Sequence, residues 1–483
     1  MNKNILYLLY FTVYSLILLF FGKGGFKKTN NSRDFFVAGN SLGLALSVFT
    51  FSGTWFSAAS MQGVTGSVFS YGYSTVLYSV LPWFSGAILL IILAPRLRLY
   101  DFLTLPEFFY LRYNSKWLQA MGGIMIVITY THYIIIQVRG FGIVISELLD
   151  INYFFASVLV YTFIIYTSFG GLFSVSKTDG LNIILVLLGV VVAAILILNE
   201  VGGIGVMLEK AELINTRPFT NFPHITEKGG LLDPFAKGQM PPIVTFSSLF
   251  GWGLGLAANP QYTTRIIAAQ NNKIAVKMIW QSVILLAFLY LGLIFIGIGG
   301  RVLVPSIKTV STVDEVFPYL INNVIYSPLS GLILISMAAA AISTANSQLL
   351  IAASGLTYDF YKNIINPNIK EEHFLNLNRL SIFLIGTVSL IMAINPPESL
   401  LVYGGYIWGF YSASFLIPLY GGVFWKKSTK EGAIAAFSIG LISIIFLIIK
   451  DYDSMIHPAM PSVFASALTF YFVSKYFYNK ANR

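Results

Sequence analysis

Apolar runs of about twenty residues, separated by short polar breaks or by Pro and Gly, recur along almost the whole chain, and each has the length of a bilayer-crossing helix. They predict helices near residues 4–21, 42–66, 73–94, 117–147, 153–169, 179–200, 242–262, 275–299, 328–356, 376–394, 398–424, 430–449 and 457–477, thirteen in all. The first run has no small-residue cleavage site around Phe20-Phe21-Gly22-Lys23, and most of its flanking charge follows it. That pattern predicts a retained span, not a signal peptide. The two longest connections, 201–241 and 300–327, carry Pro, Gly, Asn and charges and predict loops with short helices. No linker marks a second domain.

Composition leads to the same class. Of 483 residues, 56% are hydrophobic and 10% charged, where a soluble domain carries about 25% charged. The chain reads as an all-α polytopic membrane protein with no room for a sizeable soluble domain. Its net charge of +10 is scattered through short loops and forms no basic stripe, so nucleic acid is not a partner. Alternate sets of loops hold 21 and 8 Lys and Arg residues, with Arg139 left inside a span. The richer set belongs in the cytoplasm, which places the amino terminus outside and the carboxyl terminus inside at the cell membrane. The absence of cysteine excludes disulfides, thiolate metal sites and Cys nucleophiles.

Two of the predicted helices are interrupted by small residues. One reads Phe51-Ser52-Gly53-Thr54-Trp55-Phe56-Ser57-Ala58-Ala59 and the other Gly251-Trp252-Gly253-Leu254-Gly255-Leu256-Ala257-Ala258-Asn259-Pro260. They stand five spans apart, so they run in opposite directions, and segments 42–200 and 242–424 are candidates for inverted halves. A first helix and loop (1–41) precede them, an external connection (201–241) joins them, and two helices (425–483) follow. Transporters build midplane sites from such discontinuous helices, because unwound carbonyls and half-helix ends coordinate ions and polar solutes. Small residues also let helices pack closely, and the pattern by itself leaves both readings open.

Four stretches taken together resemble the sodium:solute symporter family. They are Asp34-Phe35-Phe36-Val37-Ala38-Gly39-Asn40-Ser41-Leu42-Gly43, leading to Gly63-Val64-Thr65-Gly66; Thr167-Ser168-Phe169-Gly170-Gly171-Leu172-Phe173 through Asp179; Gly251-Trp252-Gly253-Leu254-Gly255 with Pro260 and Arg265; and Ala339-Ala340-Ala341-Ile342-Ser343-Thr344-Ala345-Asn346. The resemblance covers roughly residues 34 to 430. It implies a LeuT-like fold of two inverted five-helix repeats, with one helix before and two after, and sodium as the coupling ion. It also implies a sodium site made by the carbonyls of Gly53, Phe56 and Ala340 and the hydroxyls of Ser343 and Thr344. An all-oxygen set without a carboxylate suits a hard monovalent cation that must be released again. The alternative is that both hydroxyls bond back to their own helix. Asp179 is placed by the resemblance on the ion's exit path; on its own it reads equally as a capping group at the start of a helix. Arg265 reads as a cytoplasmic anchor with a charged partner.

The family's solute site points here to Trp55, Ser57, Ser60, Tyr133, Gln137, Trp252, Leu256, Pro260 and Tyr406, with His132 and Trp408 beside them. Trp55 and Leu256 replace the aspartate and tyrosine of the proline carriers, which disfavours proline. Ser60 and Gly255 replace polar groups of the sugar carriers. Arg139 stands in the outward half of a long span at a cost of about 2.5 to 3.5 kcal/mol. It reads either as a snorkelling residue or as a ligand for a solute carboxylate. The expectation is a sodium-coupled importer of a small carboxylate, with a neutral or zwitterionic amino acid as the second choice and a non-transporting sensor of the same fold as the third. The histidines, His132, His224, His373 and His457, fall in unrelated places, and no clustered constellation supports an enzyme. The implied partners are a small-molecule solute and the lipid bilayer, with no obligate protein partner.

Overall fold

The computed structural model describes residues 3–26, 29–215, 222–307, 309–395, 399–450 and 455–481. Lys27, Lys28, Arg217, Lys308 and Arg483, counted in the charge split, lie outside the described residues, as does residue 398, the expected start of the eleventh helix. Helix occupies all thirteen expected places. The elements are α1 (Lys3–Phe26), α2a (Leu44–Trp55) and α2b (Ala59–Tyr71), α3 (Val76–Leu97), α4 (Lys116–Leu149), α5 (Tyr153–Ser168) and α6 (Gly171–Val201). They continue with α7a (242–258) and α7b (Pro260–Ala268), α8 (Asn272–Leu303), α9 (Ser330–Ile365), α10 (Glu371–Met392), α11 (Leu400–Phe424), α12 (Lys430–Ile449) and α13 (Ala459–Ala481).

Among the described residues, nine helices are long and apolar enough to cross a membrane, or ten if the bent pair α2a and α2b is one span. The expected thirteen exceeds this by three segments. These are α5, short at 16 residues; α7, interrupted at Asn259; and α13, whose aromatic and polar composition makes it less apolar.

Helix starts follow the capping chemistry written into the sequence. Ser115, Asn152, Asn271, Ser399 and Thr429 each accept a backbone N–H of the first turn, at Leu118, Phe154, Ile274, Val402 and Gly432. Burial grades the bundle: 94% of the apolar stretch of α9 is enclosed, against 28% of that of α1. Alanines at 338–341 and glycines at contact points allow the close packing of α9. A Cβ on Gly123 of α4 would lie 2.5 Å from the carbonyl oxygen of Gly355 in α9.

The first half of one broken helix lies beside the second half of the other. Leu42, just before α2a, donates its N–H to Ala268 O (3.1 Å) and accepts from Gln270 N (3.0 Å), just after α7b. At the other ends Gln261 Nε2, at the start of α7b, donates to Thr54 O (3.4 Å) near the end of α2a, so α2a and α7b run in opposite senses.

Three expectations about charge are corrected here. Asp179 does not cap a helix: α6 begins at Gly171, so Asp179 sits more than two turns inside it and is fully buried. The apolar run alone concealed this, because Ser174, Ser176 and Thr178 are polar yet buried. Arg265 is not a surface anchor, since it is 1% exposed, although it does have the charged partner expected of it. Arg301, counted among loop residues, is buried in the last turn of α8 and donates to Ile225 O at 2.8 Å.

Candidate functional site

The site is built where the helices break. α2a stops at Trp55. Phe56 adopts an extended conformation (φ −80°, ψ 97°), and the chain resumes with a 59° bend. Small residues on both sides, Gly53 and Ser57-Ala58-Ala59, let neighbouring helices press in on this break. In α7 the interruption falls at Asn259, because Pro260 cannot donate an N–H and suits the first position of α7b. α4 ties both breaks together. Gln137 accepts from Ala58 N (3.1 Å), while the Tyr130 hydroxyl donates to Asn259 Oδ1 and accepts from Gln261 N (3.1 Å).

Across the α2 break lies the middle of α9. The Ser343 hydroxyl lies 2.8 Å from Gly53 O and 3.0 Å from Ala340 O, and Thr344 Oγ1 lies 3.4 Å from both Gly53 O and Thr54 O. Four of the five expected oxygens are thus gathered in one place. Phe56, whose N–H closes the last turn of α2a on Ser52 O (2.9 Å) before the chain turns extended, stands at the same break. The Ser343 hydroxyl reaches α2 as well as its own helix at Ala340 O, and the Thr344 hydroxyl reaches α2. This donor set, all oxygen and uncharged, fits a hard monovalent cation.

Next to it is a buried ion pair. Thr50 Oγ1 donates to Asp179 Oδ2 (2.6 Å), and Arg265 Nη2 approaches the same oxygen (3.6 Å) while donating to Ser347 Oγ. A Cβ on Gly53 would lie 3.2 Å from Asp179 Cβ, so the carboxylate borders the oxygen cluster directly. Asp179 thus lies beside the cluster, with Arg265 as a partner the sequence did not name.

Between the two breaks is an aromatic cluster. Trp252 meets Trp83 edge-on (ring centroids 4.9 Å) and Trp408 (5.1 Å), and Tyr133 stacks on Trp408 (6.0 Å). Trp55 packs on Phe84 and Tyr262, and Ser60 hydrogen-bonds Tyr290 (2.9 Å). Leu256 and Pro260 are buried on α7. Ser57 Oγ accepts from Ser60 N at 3.3 Å. The sequence missed Trp83, Phe84, Tyr262 and Tyr290; nothing in the period of an apolar run marks the face of a helix that meets the breaks.

Three expected members are elsewhere. Tyr406 is two residues from Trp408, about 200° around α11, so only one of them faces the cluster. Trp408 does, while Tyr406 is 39% exposed and stacks on His457 (5.2 Å). His132, adjacent to Tyr133, is likewise turned to the periphery, where its Nδ1 pairs with Ile128 O (2.9 Å). Arg139, two residues past Gln137, is turned away from the cluster. It donates to Thr312 Oγ1 (3.2 Å), lies 3.9 Å from Asp314 Oδ2, and lines a separate cavity of about 360 Å³ with Tyr153, Glu315 and Tyr319.

Comparison with known proteins decides the family. A model of the sodium:solute symporter family matches residues 35–440. The chain belongs to that family. It is 29% identical to sodium/proline symporter 2 of Staphylococcus saprophyticus over 96% of this chain and 91% of the relative. It is also 29% identical to the sodium/proline symporter of Staphylococcus aureus, with the same coverage. Among solved structures it resembles a substrate-bound, outward-open Na+-coupled sialic acid symporter, with TM-score 0.78 at 17% identity over 98% of both chains. It also resembles Mhp1, a nucleobase-cation-symport-1 transporter in a closed conformation, with TM-score 0.53 at 12% identity over 92% of this chain and 96% of that one. The fold is the LeuT-like one, all-helical, and this symporter is a multi-pass membrane protein with sodium as its coupling ion.

Proposed function

We propose that this symporter imports a small zwitterionic solute of the amino-acid or imino-acid class together with sodium, by alternating access. The observation that carries the solute class is that Arg139 already faces Asp314 at 3.9 Å, while the cluster between the helix breaks holds aromatic rings, hydroxyls and neutral amides. A solute with no net charge suits such surroundings. A monocarboxylate anion would need the cation that Arg139 does not bring there. The similarity to sodium/proline symporters supports the same class, although Trp55 and Leu256 set this chain's site apart from the proline carriers' pattern.

In this reading sodium sits between the carbonyls of Gly53, Phe56 and Ala340 and the hydroxyls of Ser343 and Thr344, and Asp179 receives it on its way out. The halves 42–200 and 242–424 move against each other. The amino terminus lies outside, so the Thr312–Glu315 loop with Arg139 belongs to the outer face. Sodium binding draws α2 to α9 and orders the first break, which completes the solute site. One positive charge crossing 100 mV supplies about 2.3 kcal/mol and a tenfold sodium gradient about 1.4, enough to concentrate a net-neutral solute several-hundred-fold.

The test is uptake into proteoliposomes of labelled amino acids, imino acids, monocarboxylates and sugars, with the inward sodium gradient imposed or collapsed. Sodium-dependent accumulation of a neutral amino or imino acid is expected. Accumulation of a monocarboxylate alone would overturn the solute class, and uptake that follows a proton gradient while ignoring sodium would overturn the coupling.

A further inference from the structure

Two glutamines on the seam between α2b and α4 have buried amide atoms without a hydrogen-bond partner among the described residues. Gln62 is fully buried, and neither its Nε2 nor its Oε1 has a partner; Gln137 is fully buried, and its Nε2 has none. They bracket the same point. Gln137 Oε1 accepts from Ala58 N, and a Cβ on Gly140, one turn along α4 from Gln137, would lie 2.4 Å from Ala58 Cβ and 2.6 Å from Gln62 Oε1. A side chain larger than glycine at 140 would collide with the Gln62 amide and with Ala58.

Leaving a buried amide unpaired costs free energy, and native structures rarely do it without a reason. Here the unpaired groups stand at the first helix break, one turn of α4 from Tyr133 and the tryptophans it stacks on. We infer that Gln62 and Gln137 hold the head group of an α-amino or α-imino acid: the two Nε2 groups donate to its carboxylate, and Gln62 Oε1 accepts from its ammonium. The donor and acceptor of one primary amide match the adjacent carboxylate and ammonium of such a head group, which a monocarboxylate or an amine offers only in part. The solute's apolar body then lies toward the aromatic cluster, where the rings also favour a nearby cation. This assignment rests on the proposed function and gives its solute a specific docking point.

The experiment uses the full-length chain in proteoliposomes, with L-proline and L-alanine as probes and their carboxamides as competitors. Gln62→Leu and Gln137→Leu are each expected to raise the KM of the accumulated amino acid by about tenfold or more, and to erase most of the preference for the acid over the carboxamide. Sodium-22 binding measured without solute should stay at wild-type affinity in Gln62→Leu, which a general packing defect would not allow. Gln62→Glu keeps the shape and is read where a leucine variant fails to insert; it should repel the acid and invert the preference toward the carboxamide. Unchanged KM and unchanged discrimination in these variants would overturn the inference. A wild-type protein that accumulates neither these probes nor other amino or imino acids would instead overturn the proposed function.

Discussion

The hydroxyl of Ser343, in the middle of α9, lies 2.8 Å from the carbonyl oxygen of Gly53, on the last turn of α2a. The two residues are 290 positions apart in the chain, one in each candidate half, and their contact is made at the helix break. A cation bound there has the same two elements as its walls. Its arrival and departure therefore bias how α2 sits on α9, which is the link that coupling requires.

Arg265 and Asp179 should behave as a unit. Both are fully enclosed, so Arg265→Gln leaves a carboxylate buried without its cation, at a cost of about 3–5 kcal/mol. The purified variant should melt well below the wild type, and adding Asp179→Asn should recover much of the loss. Equal losses from Arg265→Gln with and without Asp179→Asn would show that the pair does not interact.

Arg139→Gln separates a role in the loop from a role in the solute site. With Arg139 held by Thr312 and Asp314, uptake of the preferred solute should keep its KM within about threefold while the melting temperature falls. A large rise in KM with unchanged stability would put Arg139 back among the solute ligands.

Asp314 gives the stability a pH dependence of known sign. Burial raises its carboxyl from 3.8 to about 7, against the opposing effects of Arg139 and the Leu400 N–H. The folded protein therefore holds this proton over a range where the unfolded chain has released it. The stabilisation is complete below the unfolded value and is lost as pH rises through about 7. The wild-type melting temperature should fall relative to that of Asp314→Asn between about pH 5 and 7.5 and run parallel to it above. Parallel curves across the whole range would show that the buried proton is not there.

Much of the frame is legible in the sequence because it is written locally. The helix positions follow from apolar runs, the first break from Gly53 and the small residues after Phe56, and the second from Pro260. Ser343 and Thr344 stand out as adjacent hydroxyls in a buried alanine-rich helix. What is not legible depends on partners far along the chain. Asp179 looks like a cap because its true neighbours, Thr50 and Arg265, come from other helices. Arg139 looks like a free cation until Asp314 is brought to it. Tyr406 and Trp408 are indistinguishable until the helix fixes which faces inward. Gln62 attracts no notice in a run of small residues, and only the folded structure shows that its buried amide lacks a partner among the described residues.

The central claim is that Ser343 and Thr344, with the carbonyls around the α2 break, hold the coupling sodium. Sodium-22 binding to the purified protein, wild type against the Ser343→Ala, Thr344→Ala double variant, measures it directly. The double variant should lose at least about tenfold in sodium affinity, with its sodium-driven uptake falling in step and its melting temperature in sodium-free buffer close to that of the wild type. Wild-type sodium affinity in the double variant would contradict the account.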